Sequence, residues 1–134
     1  MKLIYPLLLA AVVGNAHAET PKQLIDAYST AASAQSAGFK PSAQRGGAFF
    51  AKQFAVSLRM PACASCHTEQ PIQPGRHAVT GKEIKPMAVS ANSERFTDSA
   101  KVEKWFRRNC QEVVGRECTA GEKADFIQFA MESR

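Results

Sequence analysis

The sequence predicts an all-α fold, in the form of one small helical domain. Helix-start signals, each an N-cap residue followed by a first turn suited to a helix, recur along the chain. The apolar residues that follow them are spaced three and four positions apart, as on one face of a helix. No run of alternating polar and β-branched residues is long enough to predict a strand. The length of 134 residues suits a single domain.

The first 18 residues predict an export signal. Lys2 gives a positive start, residues 3–13 are apolar, and residues 16–18 form the small-x-small pattern that signal peptidase cleaves. The apolar stretch is shorter than the roughly 20 residues that cross a bilayer. We therefore expect cleavage after Ala18, a periplasmic protein, and one domain in residues 19–134.

Composition argues against two classes of partner. The net charge is +5 at pH 7, but there is no Lys/Arg run and no basic patch with interleaved aromatic residues, so nucleic acid is not predicted. After the signal, no apolar segment is long enough to span a membrane. The mild positive charge fits an acidic protein partner or plain solubility and does not choose between them.

The first predicted helix begins at Pro21. Thr20 is its N-cap, proline suits the first helical position, and Gln23 completes a capping box. Gly38 and Pro41 end the element. The apolar residues at helical spacing are Leu24, Ile25, Tyr28 and Ala31 or Ala32.

The second predicted helix begins near Ser42 and contains two adjacent glycines. A glycine inside a helix costs about 1 kcal/mol relative to alanine, so Gly46 and Gly47 need a compensating reason. We expect that reason to be the close approach of another helix. The residues predicted to share one side of this helix are Gly46, Phe49, Phe50 and Phe54.

The middle of the chain predicts a long loop that follows a Cys-x-x-Cys-His motif. Residues 68–95 are rich in proline, glycine and polar residues. A loop of this length in a small domain is expected to wrap around something.

Two more helices are predicted after this loop. One runs from Thr97 or Asp98 to Val113, and the last begins with the capping box of residues 119–122. Its apolar residues are Phe126, Ile127, Phe129 and Ala130.

Cys110 lies near the end of the first of these two helices, and Cys118 lies just before the start of the second. Free thiols are unusual in an oxidising compartment, so we predict a disulfide, worth roughly 2–3 kcal/mol for a loop of this size. The alternative is two buried free thiols.

The motif Cys63-Ala64-Ser65-Cys66-His67 predicts covalent attachment of one haem c. Its thiols are spaced to form thioethers with the two haem vinyl groups, and the adjacent histidine then becomes an axial ligand of the iron. Three alternatives are weaker. A thioredoxin-like motif would sit in a βαβ pattern, a zinc site would need two further ligands at suitable spacing, and a structural disulfide would leave His67 unexplained.

The second axial position of the iron decides the function. A strong ligand such as methionine or histidine makes an electron carrier, whereas an open or weakly held position allows gas binding. Asn109 lies in the middle of the apolar face of the third helix, where a side-chain amide needs a partner. That partner is the iron, or else a backbone carbonyl, a water or a haem propionate. The apolar face consists of Val102, Trp105, Phe106, Asn109 and Val113.

Four other side chains compete with Asn109 for that position. Met87 lies in the long loop, as methionine ligands often do, or else packs against the haem edge. His77 lies among polar loop residues, which favours a solvated surface histidine over an iron ligand. Met60 is too close to the attachment motif to reach the far face, and Met131 falls in the last helical turn.

Four stretches of the chain resemble the SHP family (Sphaeroides haem proteins), which are oxygen-binding class I c-type cytochromes. Together with the Cys-x-x-Cys-His motif they carry a resemblance that extends over nearly all of the mature chain. The stretches are residues 80–84, 95–98, 102–110 and 115–119.

The resemblance implies a class I cytochrome c fold and assigns roles to individual residues. Asn109 would ligate the oxidised iron and leave on reduction, Cys110 would pair with Cys118, and a dihaem c-type cytochrome would donate electrons. The related cytochromes c″ carry histidine at the ligand position. Met87 departs from the leucine expected there. The fold also implies a helix crossing in which Gly46 and Phe50 meet Phe126 or Phe129.

These observations predict a monohaem cytochrome that binds O2, NO or CO when reduction releases Asn109. An amide is a weak, hard ligand that suits ferric iron better than ferrous iron. Trp105 and Phe106 are expected to line the haem pocket, or else belong to the ordinary core. The alternatives are a simple electron carrier with Met87 or His77 as a permanent ligand, and an enzyme that reduces O2, NO or peroxide.

Overall fold

The computed structural model describes residues 18–134, so the predicted signal segment before Ala18 lies outside the described residues. Within them the fold is helical, as predicted, and one antiparallel pair of two-residue strands is added, with Gly75 opposite Ile84 and Arg76 opposite Glu83. None of the helices in residues 18–134 is long and apolar enough to cross a membrane. The elements are α1 (Pro21–Ser33), α2 (Ala43–Ala51), α3 (Ala64–His67), β1 (Gly75–Arg76), β2 (Glu83–Ile84), α4 (Ser99–Val113) and α5 (Ala120–Glu132).

All four long helices begin where the capping signals place them. Thr20 and Thr119 each form a capping box, in which the threonine accepts from a backbone N–H while the residue three positions on reaches back to the threonine N–H. Ser42 and Asp98 cap α2 and α4 by accepting from the backbone N–H three residues later. Local side-chain chemistry therefore fixes the start of each helix.

The crossing of α2 and α5 is the closest approach between long helices. Gly46 is buried, and a Cβ on it would overlap the carbonyl oxygen of Asp125 and lie 2.8 Å from Cβ of Phe129. The Phe50 ring lies 5.9 Å from the Phe126 ring and 5.3 Å from the Phe129 ring, centroid to centroid. The structure thus confirms the expected reason for Gly46 and the crossing that the resemblance implied.

A buried carboxylate joins the same two helices. Asp125 is 6% exposed and accepts from the Nε and Nη2 atoms of Arg45 at 2.7 and 2.8 Å. It also accepts from the backbone N–H of Ser42 at 2.7 Å. A buried charge that is paired and hydrogen-bonded in this way fixes the start of α2 against α5.

Phe54 does not belong to α2, contrary to the prediction. The helix ends at Ala51, where Lys52 adopts an extended backbone. Phe54 still contacts the helix, because its ring packs edge-on against Phe49 with centroids 5.7 Å apart.

Helix α4 is held through side chains at several points. Phe106 packs edge-on against Phe126 of α5 and Tyr28 of α1, at centroid distances of 5.6 and 6.2 Å. Near its C-terminus, the thiol sulfurs of Cys110 and Cys118 meet at bonding distance, with their Cα atoms 5.7 Å apart. The packing of Phe106 and the link between Cys110 and Cys118 therefore fix the position of α4 relative to α1 and α5.

Candidate haem site

The Cys-x-x-Cys-His motif forms the one-turn helix α3, which brings its two thiols and its histidine together. Cys63 is the N-cap of α3 and His67 is its last residue. The helix ends there because Thr68 adopts a left-handed conformation, with φ of +63°. Gly75 passes directly over this turn, where a Cβ would overlap the carbonyl oxygen of Cys66 and lie 2.9 Å from Cα of His67. The loop after the motif therefore holds the turn in place.

The surroundings of α3 are mainly apolar. The imidazole of His67 lies 6.4 Å from the ring of Phe50, centroid to centroid. Cys63 and Ala64 pack against the central core cluster, which also includes residues of α4 and of the long loop. That cluster consists of Leu24, Ile25, Phe50, Met87, Phe96, Val102, Phe106, Cys110, Cys118, Phe126, Ile127 and Ala130.

Burial keeps His67 neutral. It lowers the pKa of His67 to about 4, with smaller contributions from the positive charge of Arg95 and from His77. The Nδ1 atom is buried and has no hydrogen-bond partner among the described residues. A neutral imidazole is the form that ligates a metal, through either ring nitrogen, and a buried nitrogen is costly unless a partner bonds to that nitrogen. His67 therefore fits the role of a haem ligand.

The two thiols also fit covalent attachment to an apolar group. Neither is bonded to another described cysteine. Burial, with a smaller contribution from the nearby Cys66, raises the pKa of Cys63 to about 11, so this thiol stays protonated at neutral pH. Among residues 18–134, no three or more His, Cys, Asp or Glu side chains come together as a metal site. The zinc alternative thus finds no ligand set in this part of the chain.

Asn109 lies on the inner side of α4, as the helical pattern predicted. It is half-buried, beside the buried residues Phe106, Cys110 and Val113. Within the described residues its side-chain amide takes part in no hydrogen bond, whereas the other described asparagine, Asn92, donates to the carbonyl of Pro86. The Asn109 amide is thus available to a ligand or a metal.

The two expected pocket residues of α4 differ in their surroundings. Phe106 is 9% exposed and belongs to the core cluster. Trp105 is 45% exposed, and the guanidinium of Arg108 lies 5.7 Å from its ring centroid. Phe106 therefore packs in the protein interior, whereas Trp105 lies at the edge of the apolar face.

Three of the competing side chains differ in their surroundings. Met87 is buried in the core cluster, and its backbone N–H donates to the carbonyl of Pro71 at 2.8 Å. The Nδ1 atom of His77 accepts from the backbone N–H groups of Val79 and Thr80, both at 3.2 Å. Met131 is 37% exposed at the end of α5.

The sequence pattern gave no role to Arg95, which lies close enough to His67 to affect its pKa. This half-buried guanidinium donates from Nε to the carbonyl of Pro86 at 2.9 Å and from Nη2 to the carbonyl of Lys85. Burial lowers its pKa, and no ion pair joins it to a carboxylate in residues 18–134. The only sequence signal was its place in one of the stretches that resemble the SHP family, which does not reveal the carbonyls that hold it.

Residues 36–130 match a protein family described as a domain of unknown function, DUF1924. The chain is also similar to the cytochrome c-type protein SHP of Cereibacter sphaeroides, with 45% identity over 127 residues, covering 92% of this chain and 94% of the relative. It is 36% identical to cytochrome c″ of Methylophilus methylotrophus over 137 residues, covering 98% of this chain and 95% of that protein.

Two solved structures have the same fold. Oxidised SHP, described as an oxygen-binding cytochrome c, superposes with a TM-score of 0.77 and 44% identity, covering 84% of this chain and 96% of that one. Oxidised cytochrome c″ from Methylophilus methylotrophus gives a TM-score of 0.78 with 37% identity, covering 85% and 94%. The predicted cytochrome c fold is thereby confirmed.

Proposed function

Because this chain belongs to the DUF1924 family and to the c-type cytochromes that include SHP and cytochrome c″, we propose that it binds O2, NO or CO at one covalently held haem when reduction releases Asn109. Membership of these c-type cytochromes confirms the predicted cofactor, haem c. When bound, haem c supplies a redox-active iron with two axial positions.

The haem is attached through Cys63 and Cys66, and His67 supplies one axial ligand. The geometry of α3 supports this assignment, because it places the three side chains on one turn beside the apolar core. The neutrality of His67, whose pKa burial lowers to about 4, leaves the imidazole able to ligate iron. Phe106 and Trp105 of α4 line the haem pocket in this proposal.

Asn109 would be the second protein ligand of the ferric iron. The observation that carries this proposal is a half-buried amide on the inner side of α4 that makes no hydrogen bond to any described residue. A neutral amide oxygen or nitrogen binds ferric iron better than the softer ferrous iron, so Asn109 would be released on reduction. The amide then remains nearby as a hydrogen-bond donor to a gas ligand.

The relatives support the same chemistry. SHP is described as an oxygen-binding cytochrome c, and a solution structure of cytochrome c″ is described in terms of haem-ligand detachment. We extend both properties to this chain. The electron-carrier alternative would use Met87, which lies in the core cluster that Cys63 packs against, or His77, whose Nδ1 already accepts two backbone N–H groups.

The remaining parts of the proposal concern the compartment, the bridge and the donor. The protein is exported to the periplasm after cleavage behind Ala18. In that oxidising compartment the adjacent sulfurs of Cys110 and Cys118 form a disulfide. Another c-type cytochrome, a dihaem protein, supplies the electron.

Carbon monoxide binding by the reduced protein tests this function. We expect the ferrous form to be high-spin and to bind CO within the mixing time, with the absorption change of a vacated axial position. A ferrous form that is low-spin and unresponsive to CO would instead identify a permanent sixth ligand and an electron carrier. Steady consumption of O2, NO or peroxide with a reduced donor would be required to establish an enzyme.

A further inference from the structure

A short loop before α3 leaves the protein body and returns to it. The backbone N–H of Phe54 donates to the carbonyl of Pro61 at 2.7 Å, which closes the neck of the loop. Inside the loop, the backbone N–H of Met60 donates to Oγ of Ser57 at 3.1 Å. We call residues 54–61 the neck-closed loop. These two hydrogen bonds give it a defined shape although it contains no helix or strand.

The neck-closed loop is anchored at its base and on one side. The Phe54 ring packs on Phe49 of α2, with centroids 5.7 Å apart. On one side Val56 lies against Gly115, where a Cβ would be only 2.9 Å from Cγ2 of Val56. These contacts hold the loop against the connection between α4 and α5.

The tip of this loop presents an apolar side chain to solvent. Leu58 is 104% exposed, and Val56 is 52% exposed despite its contact with Gly115. A single exposed leucine is ordinary on a protein surface. Leu58 differs because the closed neck and the anchored side hold its backbone in place, so the side chain is displayed at little further entropic cost on binding.

The charged residues of the loop and of its base are positive. Lys52 at the base and Arg59 at the tip are both exposed, and neither forms an ion pair with a described residue. The Lys52 ammonium lies 5.3 Å from the centroid of the Phe54 ring. Residues 46–68 contain no aspartate or glutamate. The loop thus combines an apolar centre with a cationic rim, which is the composition of a small protein interface.

We propose that the neck-closed loop is the docking surface for an acidic electron-donating protein. This inference rests on the proposed function, because a donor is needed to release Asn109. Leu58 precedes Cys63 by five residues, so the chain places it within about 18 Å of the attachment site. A donor with an apolar spot surrounded by carboxylates would cover Leu58 and neutralise Lys52 and Arg59, close to the bound haem.

Stopped-flow reduction of the ferric holoprotein tests the proposal, with a reduced acidic [2Fe–2S] ferredoxin as the probe donor. We expect Lys52→Gln/Arg59→Gln to slow the second-order reduction at low salt by about tenfold, and high salt to remove the difference, as for electrostatic steering. Leu58→Ser should slow reduction at both salt concentrations. Reduction by a photogenerated neutral flavin should be unchanged in every variant.

The matched controls lie on α4 and in the long loop. Lys101 and Lys104 are exposed and form no ion pair with a described residue, so Lys101→Gln/Lys104→Gln removes the same charge elsewhere. Val79 is 48% exposed and gives the apolar control Val79→Ser. If the α4 variant slows the ferredoxin reaction as much as the loop variant, or if neither slows it, the proposal is overturned.

Two further measurements distinguish donor docking from self-association and from gas binding. Sedimentation of the wild-type protein should show a monomer, and a dimer abolished by Leu58→Ser would assign the loop to self-association and refute donor docking. Carbon monoxide binding by each reduced variant tests the proposed function independently of donor docking. If reduction by the ferredoxin showed the expected salt dependence but the reduced protein did not bind CO, the gas-binding proposal would be overturned and the docking proposal would stand.

Discussion

At the scale of single residues, the candidate site rests on two neutral side chains, of which burial keeps one, His67, neutral. Burial holds the pKa of His67 at about 4, which favours a neutral imidazole. Asn109 presents a neutral amide from the inner side of α4. One strong and one weak neutral ligand would face a single iron, so a change in the charge of the iron acts mainly on the weaker bond.

Removal of the Asn109 amide should change the ferric spectrum without abolishing CO binding by the reduced protein. We expect Asn109→Ala to convert the ferric absorption and electron paramagnetic resonance spectra toward those of a five-coordinate or water-bound iron. The reduced protein should still bind CO, because Asn109 has already left the ferrous iron in the proposed mechanism.

Gln111→Ala is the control for this substitution. Gln111 carries the same amide group on the same helix but faces solvent, so its removal should leave both oxidation states unchanged. An unaltered ferric spectrum in Asn109→Ala would eliminate Asn109 as the ligand.

At the scale of elements, the fold depends on how closely α2 approaches α5. Gly46 lies at the contact, with the Asp125 carbonyl where a Cβ would be. The paired charges of Arg45 and Asp125 close the same junction. Because Phe50 lies at this crossing and also near His67, the position of the crossing affects the packing beside His67.

A methyl group at Gly46 should therefore destabilise the protein. We expect Gly46→Ala to lower the free energy of unfolding by about 1–3 kcal/mol, as overpacking of a core does. At Gly47 the nearest atom is the ring edge of Phe129 at 3.1 Å, which can turn aside. Gly47→Ala should therefore change stability by less than about 1 kcal/mol, since alanine also favours the helix.

Urea unfolding of the two holoproteins, followed by circular dichroism in the far ultraviolet, measures both values. Equal stability of the wild-type protein and Gly46→Ala would show that the helices are farther apart than described.

The attachment of α4 to its neighbours depends on Glu103. Its carboxylate accepts from the Tyr28 hydroxyl at 2.6 Å and from the Lys123 ammonium at 2.9 Å. Burial by itself raises the pKa of Glu103, but these hydrogen bonds, together with the charges of Lys123 and Arg107, outweigh it and leave the pKa below the ordinary value of 4.5. Glu103 thus joins α4 to both α1 and α5 in its ionised form.

This shift predicts a pH-dependent contribution to stability. Because the folded pKa is depressed, Glu103 stabilises the fold above the unfolded pKa, and the contribution is lost as pH falls through the folded value. Glu103→Gln should therefore be less stable than the wild-type protein at pH 7, and the difference should shrink below about pH 4.5. Exposed Glu117→Gln is the control, and a difference for Glu103→Gln that stays constant down to about pH 3 would contradict the assignment.

At the scale of the whole molecule, the sequence predicts those features that local chemistry determines. The caps Thr20, Ser42 and Thr119 act on their own first turns, so the long helices could be located. The short strands and α3 depend instead on contacts distant in sequence, such as Gly75 against Cys66.

The candidate site divides in the same way. Asn109 could be placed on the inner side of α4 by helical periodicity alone. The spacing of the Cys-x-x-Cys-His motif was by itself enough to predict covalent haem attachment. Arg95 could not be found, because its partners are the loop carbonyls of Lys85 and Pro86, which carry no residue-specific signal.

The whole molecule also depends on a covalent tie at the end of α4. Helix α5 packs against α1 and α2, whereas α4, which carries Asn109, joins this body through the side chains of Phe106 and Glu103 and through Cys110–Cys118. A disulfide between Cys110 and Cys118 would stabilise the fold mainly by restricting the conformations of the unfolded chain. The bridge should therefore contribute to stability more than to the position of the ligand.

Replacement of both cysteines separates these two effects. Cys110→Ser/Cys118→Ser should lower the free energy of urea unfolding by roughly 2–3 kcal/mol. The ferric spectrum should stay that of the wild-type protein, because Phe106 and Glu103 still hold α4 against α1 and α5. Unchanged stability would mean that the two sulfurs are not bonded in solution. A ferric spectrum like that of Asn109→Ala would mean instead that the bridge, rather than the packing of α4, keeps the amide within reach of the iron.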